Sequence, residues 1–458
     1  MKYFLAVLIF ILFLNSNALA VSDPRLFPNN KFGINSLSPE ADIKEVADLV
    51  NTNGDWGWVV LVIRKNERDL ARWQAVFDLL LENHLIPIVR IATQADSEGN
   101  WQRPTDADAS DWANFLSELG WPTKNHYVQI YNEVNHNTEW GGNVDAADYA
   151  MELNKTIDNF KVKSANFFVL NAPLDLAANS SKTSVEAGTF FEIMEKAVPG
   201  IFNKLDGWAS HSYPNPDFSA SPLKSGRTGI DGYKWELAQK NNYSQKQLSV
   251  FITETGWRSS NSKVGGLSGM DISNNYKIAF EKVWNDNQIV VVAPFVFNYP
   301  DELLRAFSFK EKDSCSESCQ VIRDLIKVKG EPERENKGKI IAVKRPLRVI
   351  NNTTSKIDVE IKNIGNYVWN TKNDLKINIV ELGLVIDKVT WNSEKIYPGH
   401  IVKATISLKV AKEGILPFFI RITSEDKIID QTESYFRSES YFTFMLNTLE
   451  PVFTPENS

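Results

Sequence analysis

The sequence predicts an α/β fold, a (β/α)8 barrel, followed by a small all-β sandwich. Between residues 31 and 299, eight apolar runs rich in β-branched residues alternate with stretches of helical periodicity. Such near-continuous apolar strands are typical of a parallel sheet that helices cover on its outside. Eight strand–helix units in about 270 residues fit a closed (β/α)8, or TIM, barrel. After residue 341, short alternating strands replace the helices, which indicates a second, all-β domain.

The elements of the predicted barrel follow one another along residues 21–327. The eight strands are expected at 31–36, 58–64, 86–93, 127–133, 167–172, 207–213, 249–254 and 290–298. Helical spacing of apolar residues predicts helices at 69–83, 105–119, 146–160, 185–198, 228–240 and 273–284. An open doubly wound sheet is the alternative. That fold usually has a glycine-rich turn after its first strand, and Gly33-Ile34-Asn35-Ser36 is not such a turn.

The second domain is predicted at 341–445, after a polar linker at 328–340 and before a disordered tail at 446–458. Its strands are expected at 356–363, 375–380, 385–390, 402–410 and 417–422. The turn Asn363-Ile364-Gly365-Asn366-Tyr367-Val368-Trp369 and the later Trp391 resemble those of immunoglobulin-like accessory domains. We expect this domain chiefly to pack against the barrel. Carbohydrate binding and attachment to a cell surface are the alternatives.

The first 20 residues have the pattern of a secretory signal peptide. Lys2 precedes an apolar run from Tyr3 to Leu14, and the segment ends on Ala18-Leu19-Ala20. The run is shorter than the roughly 20 apolar residues that a membrane-spanning helix needs. We therefore expect a mature chain that begins near Val21 and is secreted or extracytoplasmic, with the cell surface as an alternative location. No stable membrane insertion is expected after signal removal, and the mature protein is expected to be a monomer.

Composition narrows the class of partner. The 458 residues are 43% hydrophobic and 23% charged, which is typical of a globular chain. The net charge is −7 and no dense Lys/Arg cluster occurs, which disfavours a nucleic-acid partner. The only cysteines, Cys315 and Cys319, are expected to form a local disulfide. Because the sequence contains neither H-E-x-x-H nor a Cys/His cluster, we predict no metal and no cofactor. It also lacks the G-x-S-x-G motif of esterases.

Two glutamates at predicted strand ends carry the functional prediction. Glu133 ends the run Tyr127-Val128-Gln129-Ile130-Tyr131-Asn132, and Glu254 ends the run Leu248-Ser249-Val250-Phe251-Ile252-Thr253. These are the fourth and seventh strands, and the loops at that end of such a barrel build the active site. Hydrolysis of a glycosidic acetal needs two carboxyl groups at one place, one of them as a proton donor. The pattern therefore predicts a glycoside hydrolase.

Alternation along the strands predicts which side chains reach the mouth. Gln129 and Tyr131 are expected to share a face with Glu133, and Val250 and Ile252 to share one with Glu254. On the sixth strand, His211 and Tyr213 are expected on one face at the same end.

The strand-4 Asn132-Glu133 pair and the strand-7 Thr253-Glu254 pair resemble those of clan A (4/7 superfamily) glycoside hydrolases, which include family 5 and family 39. This resemblance implies a retaining double displacement, with Glu133 as acid/base and Glu254 as nucleophile. It implies that Asn132 binds the sugar 2-hydroxyl, that Tyr213 hydrogen-bonds the nucleophile and that His211 lines the sugar site.

Two further assignments depend on the same resemblance. Arg64 or Arg90 would match the arginine that keeps the nucleophile ionised, and we favour Arg64. Many clan members have a tryptophan on strand 8, but this chain has Phe295-Val296-Phe297-Asn298-Tyr299. Trp257 is expected to serve as the aromatic platform instead, and Trp101 and Trp140 to stack on outer sugars.

The sequence as a whole predicts a secreted, cofactor-free retaining glycosidase that acts on a poly- or oligosaccharide. The alternative is a non-catalytic glycan-binding protein on the same barrel. Transglycosylation would use the same residues and would differ only in the acceptor of the sugar.

Overall fold

The structure is a computed structural model that describes residues 21–260, 266–299, 304–311, 314–381 and 383–449. The predicted signal peptide and the end of the predicted tail, 450–458, lie outside the described residues. Among the described residues, no helix combines the length and the apolar character that crossing a membrane requires.

Eight parallel strands form the first domain, and each pairs with the next in chain order. A bridge between Phe32 and Val292 joins the last strand to the first, so the sheet closes into the predicted barrel. Strands β4 and β8 end earlier than the sequence predicts, at Ile130 and Val292, whereas β7 ends at Glu254 as predicted. The strands are β1 (Gly33–Ser36), β2 (Gly57–Arg64), β3 (Leu85–Ala92), β4 (His126–Ile130), β5 (Phe167–Leu170), β6 (Gly207–His211), β7 (Ser249–Glu254) and β8 (Ile289–Val292).

Helices cover the outside of the barrel. The helix that follows β2 is typical: the Asp69 side chain accepts a hydrogen bond from Arg72 N at its start, and Trp73, Phe77 and Leu80 bury its apolar face. The helices are α1 (Pro39–Asn51), α2 (Leu70–Glu82), α3 (Asp108–Glu118), α4 (Ala146–Lys163), α5 (Ala187–Ala197), α6 (Ile201–Lys204), α7 (Gly232–Lys240), α8 (Gly269–Ile278) and α9 (Glu317–Asp324). Before α9, β9 (Lys310–Glu311) and β10 (Ser314–Cys315) form a hairpin, and Cys315 and Cys319 form the predicted local disulfide.

Aromatic rings fill the lower half of the barrel. Trp58, Tyr127, Phe168 and Phe251 pack together, with the Trp58 and Tyr127 ring centroids 5.0 Å apart. A Cβ at Gly207 would lie 2.7 Å from the rings of Phe168 and Phe251, so only glycine leaves room for them. The space for a ligand is therefore at the opposite end, where the strands finish.

The second domain consists of two four-stranded sheets around one apolar core, which includes Ile357, Ile406 and Phe418. The sheet orders are β11-β13-β18-β16 and β12-β20-β19-β15. The five predicted strands correspond to β13, β15, β16, β18 and β19, whereas the polar strand β20 has no predicted counterpart. The immunoglobulin-like character of the domain stays a prediction. The strands are β11 (Gly338–Lys344), β12 (Arg348–Ile350), β13 (Thr354–Asn363), β14 (Trp369–Asn370), β15 (Leu375–Val380), β16 (Leu384–Trp391), β17 (Lys395–Ile396), β18 (Ile401–Val410), β19 (Gly414–Ser424) and β20 (Lys427–Glu439).

The sandwich docks on the barrel at the end where the strands begin. The Asn366 amide donates to the carbonyls of Trp121 and Thr123, both of which precede β4. The Arg334 guanidinium lies between the rings of Trp56 and Tyr367, at 5.2 and 4.0 Å. The sandwich therefore does not line the mouth of the barrel.

Both predicted boundaries of the sandwich shift. The first strand, β11, begins at Gly338, inside the predicted linker. Helix α10 (Tyr441–Leu449) extends into the stretch expected to be a disordered tail, so residues 446–449 are helical. Most of the predicted linker, residues 328–337, nevertheless has neither helix nor strand, and Lys124 holds it to the barrel through an ion pair of 2.7 Å with Glu333.

Candidate active site

The two predicted carboxyl groups meet at the mouth of the barrel, with His211 between them. His211 Nδ1 lies 2.9 Å from Glu133 Oε1 and 3.7 Å from Glu254 Oε2. One carboxylate oxygen of each glutamate and this nitrogen all lie within 4.8 Å of one another. The Glu254 side chain is 11% exposed and the Glu133 side chain 25% exposed, so both groups face a restricted, partly desolvated space.

Glu133 reaches the mouth through a turn and not through strand alternation. Strand β4 ends at Ile130, and Tyr131 and Glu133 have φ angles of 68° and 35°. Such left-handed angles are strained for residues other than glycine and are concentrated at functional sites. The expectation that Gln129, Tyr131 and Glu133 share one face is therefore wrong. The Tyr131 ring packs instead against Trp140 in the layer between barrel and helices.

Glu254 reaches the mouth through a bulge in β7. The register with β6 shifts by one residue, so that Ser210 pairs with Ile252 and His211 pairs with Glu254. Val250 and Ile252 face the helices, whereas Glu254 is turned toward the barrel axis. The expectation that these three share one face is wrong, because the extra residue reverses the alternation.

The arginine that pairs with Glu254 is Arg90 and not Arg64. Arg90 Nη1 lies 3.1 Å from Glu254 Oε1. Arg64 is 54% exposed, and its guanidinium lies over the Trp101 ring at 5.7 Å. The reason is register: Arg90 is level with Val62 on β2, so Arg64 stands two residues nearer the rim. The preference for Arg64 is thus corrected.

His211 and Tyr213 both point into the mouth, as expected. The Tyr213 hydroxyl donates a hydrogen bond of 3.2 Å to Glu254 Oε2. Burial lowers the pKa of His211 to about 4, so its imidazole is neutral at ordinary pH. The hydrogen bond between His211 Nδ1 and Glu133 therefore contains one proton, which is bound either to the imidazole nitrogen or to the carboxyl oxygen.

The surroundings of the two carboxyl groups differ. Burial raises the pKa of Glu133 to about 7, and the negative charge of Asp175 adds to this rise, whereas His136 and Arg90 oppose it. Burial also raises the pKa of Glu254, but the neighbouring His211, the charge of Arg90 and the Tyr213 hydrogen bond oppose the rise. The cation and the hydroxyl thus favour the ionised form of Glu254, while Glu133 holds its proton near neutral pH.

Asn132 is buried beside Glu133. Its Oδ1 has no hydrogen-bond partner among the described residues. A third carboxyl group, that of Glu139, lies near the site. Burial raises the pKa of Glu139 to about 7. An unpaired amide oxygen that is buried at the mouth is suited to accept a hydrogen bond from a ligand.

Two of the three predicted tryptophan platforms, Trp257 and Trp140, are buried. Trp101 is half-buried beside the Arg64 guanidinium, and its stacking on outer sugars stays a prediction. Trp257 is 2% exposed, donates to the Ala220 carbonyl and packs against Tyr276, so it belongs to the core and not to the mouth. Trp140 is likewise buried, at 1% exposed, under the loop after β4. Burial of the indole faces excludes both rings as stacking platforms in this structure.

Half-buried aromatic residues after β6 and β8 lie beside Glu254 instead. We call this group the aromatic wall: Tyr213, Phe218, Phe295, Tyr299 and Phe307. Ring centroids are 5.0 Å apart for Tyr213 and Phe218, 5.2 Å for Phe218 and Phe307, and 6.4 Å for Phe307 and Phe295. Phe295 follows β8, in the stretch that lacks the tryptophan of many clan A members.

Glu133, His211 and Glu254 also form the one set of three among the described residues with spacing suited to a metal ion. Arg90 already places a positive charge on Glu254, and repulsion between that guanidinium and a cation weighs against metal binding there. That the site works without metal stays a prediction.

Comparisons with known proteins found solved structures to which the chain is similar. No family model matches the chain, and no curated protein matches it. A family 39 glycoside hydrolase from Bacteroides cellulosilyticus WH2 is 12% identical, with 84% of this chain and 82% of that chain covered and a TM-score of 0.45. A family 128 (subgroup II) endo-β-1,3-glucanase from Sorangium cellulosum is 14% identical, with 64% and 98% covered and a TM-score of 0.42. A β-mannanase from Streptomyces thermolilacinus is 13% identical, with 62% and 85% covered and a TM-score of 0.39.

Proposed function

We propose that this chain is a secreted glycosidase that cleaves O-glycosidic bonds in a poly- or oligosaccharide with retention of configuration. One observation carries the proposal: Glu133 and Glu254, from distant points of the chain, place carboxylate oxygens within 4.8 Å of each other. Retaining enzymes hold their two carboxyl groups about 5–5.5 Å apart, whereas inverting enzymes leave about 6.5–9.5 Å for a water molecule.

The two carboxyl groups divide the chemistry. Glu254 attacks the anomeric carbon while the bond from that carbon to the leaving oxygen breaks, and Glu133 gives its proton to that oxygen. The product of this step is a glycosyl ester on Glu254. Water then gives a proton to Glu133 and attacks the same carbon, which releases the Glu254 carboxylate and restores the proton on Glu133.

The neighbours of each carboxyl group suit its role. A nucleophile must be ionised, and both the Arg90 guanidinium at 3.1 Å and the Tyr213 hydroxyl at 3.2 Å favour the ionised form of Glu254. An acid must hold a proton near neutral pH, and the pKa of Glu133 is raised by burial to about 7. The asymmetry of the site supports Glu254 as nucleophile and Glu133 as acid/base.

Sugar binding is assigned to the groups beside these carboxyls. The buried, unpaired Asn132 Oδ1 is proposed to accept a hydrogen bond from the 2-hydroxyl of the sugar. His211 holds Glu133 through its 2.9 Å contact. The aromatic wall consists of partly exposed aromatic residues, on which the apolar face of a sugar ring is proposed to stack.

A substrate panel tests the proposal. The mature chain and its Glu254→Gln and Glu133→Gln variants are incubated with aryl glycosides and polysaccharides, and released reducing ends are measured. We expect product from the wild type and a loss of more than about 10³-fold with Glu254→Gln. The matched control is Glu192→Gln, which changes an exposed glutamate on α5 and should leave turnover unchanged.

The panel also separates this proposal from its alternative. Wild-type activity in Glu254→Gln would overturn the assignment of the nucleophile. Binding of a glycan by the wild type with no product from any substrate would favour the non-catalytic glycan-binding alternative.

A further inference from the structure

An ion pair lies on the Glu133 side of the mouth. His136 Nε2 is 2.9 Å from Asp175 Oδ2, and each side chain is 30% exposed. His136 follows β4 and Asp175 follows β5, so the pair joins two loops that rise from neighbouring strands. Nothing in the double displacement itself requires either residue.

Backbone contacts fix this pair relative to Glu133. The Asn135 side chain accepts from Asp175 N at 3.1 Å and donates to the Asp175 carbonyl at 3.0 Å, which fastens one loop to the other. His136 N donates to the Glu133 carbonyl at 2.9 Å. Asp175 also forms a backbone bridge with His211, whose ring contacts the Glu133 carboxyl group. The two charges are therefore held at a constant position beside Glu133.

The titratable and charged groups that face Glu133 come from five parts of the barrel. They are Arg90 on β3, His136 and Glu139 after β4, Asp175 after β5, His211 on β6 and Glu254 on β7. After burial, the largest effect on the pKa of Glu133 is the rise caused by Asp175, and the next is the decrease caused by His136. The hydrogen bond to Asp175 in turn raises the pKa of His136. For Glu254 the neighbouring titratable groups are His211, Arg90 and Glu133.

We propose that His136 and Asp175 are a positioning pair that sets the pH range over which Glu133 acts as an acid. The inference rests on the proposed function, and it adds to that function a device that the double displacement does not need. Asp175 keeps the proton on Glu133, and His136 limits this effect while it carries its own positive charge. Their opposite charges make the two contributions separable by substitution.

The order of the substitutions matters for the test. His136→Gln removes the positive charge and leaves Asp175 ionised, so Glu133 should hold its proton to higher pH. Asp175→Asn alone would also let His136 lose its proton, and the two effects would partly cancel. The anion is therefore removed in the His136→Gln background, where the only remaining change is the loss of its negative charge.

The experiment measures kcat/KM against pH on the best substrate of the panel. We expect the alkaline limb to move up on the order of half a pH unit in His136→Gln and to move down again in His136→Gln/Asp175→Asn. The acid limb, which reports Glu254, should stay in place in both variants. His84, just before β3, and Asp55, just before β2, form a similar pair at 3.0 Å. His84→Gln and Asp55→Asn are therefore matched controls, and neither should move either limb of the pH profile.

A purely structural pair would give a different result. Its loss would lower kcat/KM at every pH or move the alkaline limb in one direction in both variants, and either outcome would overturn the inference. Titration of Glu133 by NMR in ¹³C-glutamate-labelled protein, with Glu133→Gln to assign its signal, gives a second readout. If no glycoside is turned over, the proposed function fails. The NMR titration would still test the pair: a Glu133 pKa that rises in His136→Gln and falls again in the double variant would support it, and an unchanged pKa would contradict it.

Discussion

Arg90 and Glu254 form a partly buried ion pair of 3.1 Å at the mouth of the barrel, with side chains 12% and 11% exposed. The two residues come from strands β3 and β7, and the pair gives Glu254 a cation that Glu133 does not contact directly. Since a nearby cation favours an ionised carboxylate, this ion pair distinguishes the proposed nucleophile from the proposed acid.

Arg90→Met should raise the pH at which the proposed hydrolysis begins. Loss of the cation raises the pKa of Glu254, so the acid limb of kcat/KM should move up by about one pH unit. Arg64→Met is the matched control, because Arg64 is an exposed arginine at the end of the neighbouring strand. A pH profile that moves in Arg64→Met and not in Arg90→Met would contradict the placement of these two residues.

Phe295→Ala should change substrate binding, whereas Trp257→Ala should change the stability of the fold. Phe295 is partly exposed in the aromatic wall, so its loss should raise KM about tenfold and lower the melting temperature less than the loss of Trp257 does. Trp257 is 2% exposed, so its loss should lower the free energy of unfolding by about 3–5 kcal/mol and leave the KM of the folded fraction unchanged. Steady-state kinetics and urea unfolding measure the two quantities. A raised KM in Trp257→Ala would support the platform role that the resemblance to clan A implies for Trp257.

Glu236→Gln should stabilise the fold at alkaline pH. Glu236 lies on α7 behind β6, and neither of its carboxyl oxygens has a hydrogen-bond partner among the described residues. Burial raises the pKa of Glu236 from 4.5 to about 8. The folded state therefore keeps a proton that the unfolded state releases, and stability falls as pH rises through this window by about 1.4 kcal/mol per pH unit.

Thermal melts at pH 5 and pH 8 check this expectation. The decrease in melting temperature between the two should be smaller in Glu236→Gln than in the wild type, and it should not vanish, because Glu133 and Glu139 contribute with the same sign. Glu192→Gln, on an exposed face of α5, should behave like the wild type. An equal decrease in Glu236→Gln would mean that Glu236 is ionised in the folded state.

Gly120→Ala should loosen the sandwich from the barrel without affecting turnover. A Cβ at Gly120 would lie 2.0 Å from the Pro398 carbonyl oxygen, so the two domains could not keep their present contact. Limited proteolysis within 328–337 should become faster, while kcat/KM stays constant because the mouth is at the other end of the barrel. Gly188→Ala is the control, since its nearest neighbour is the flexible Glu186 carboxylate at 3.2 Å. Unchanged proteolysis in Gly120→Ala would show that the contact is not needed for docking.

The sequence was sufficient for the barrel because apolar strands and amphipathic helices leave a strong pattern, and β7 has the predicted bounds. It was not sufficient for the way in which the two glutamates reach the mouth. Glu133 depends on left-handed backbone at Tyr131, and Glu254 depends on a one-residue bulge, and neither has a signature in the local sequence. Alternation therefore predicted the right place for both side chains for the wrong reason.

Register explains the remaining differences. Arg64 and Arg90 both stand near the end of an apolar strand, and only the pairing of Val62 with Arg90 shows which one is deep enough to meet Glu254. Trp257 lies three residues after Glu254, but the turn at Gly256, with φ of 143°, precedes an indole that packs toward the helices. The aspartate of the His136–Asp175 pair could have been suspected from its place just after β5, as an acid at a strand end.

Trapping of the glycosyl ester tests the central claim most directly. The mature chain is incubated with 2-deoxy-2-fluoro glycosides that match its best substrate, digested and examined by mass spectrometry. The account predicts one added sugar mass on the peptide that contains Glu254, and none in Glu254→Gln. A sugar on any other residue, or rapid turnover with an inverted product and no trapped ester, would contradict it.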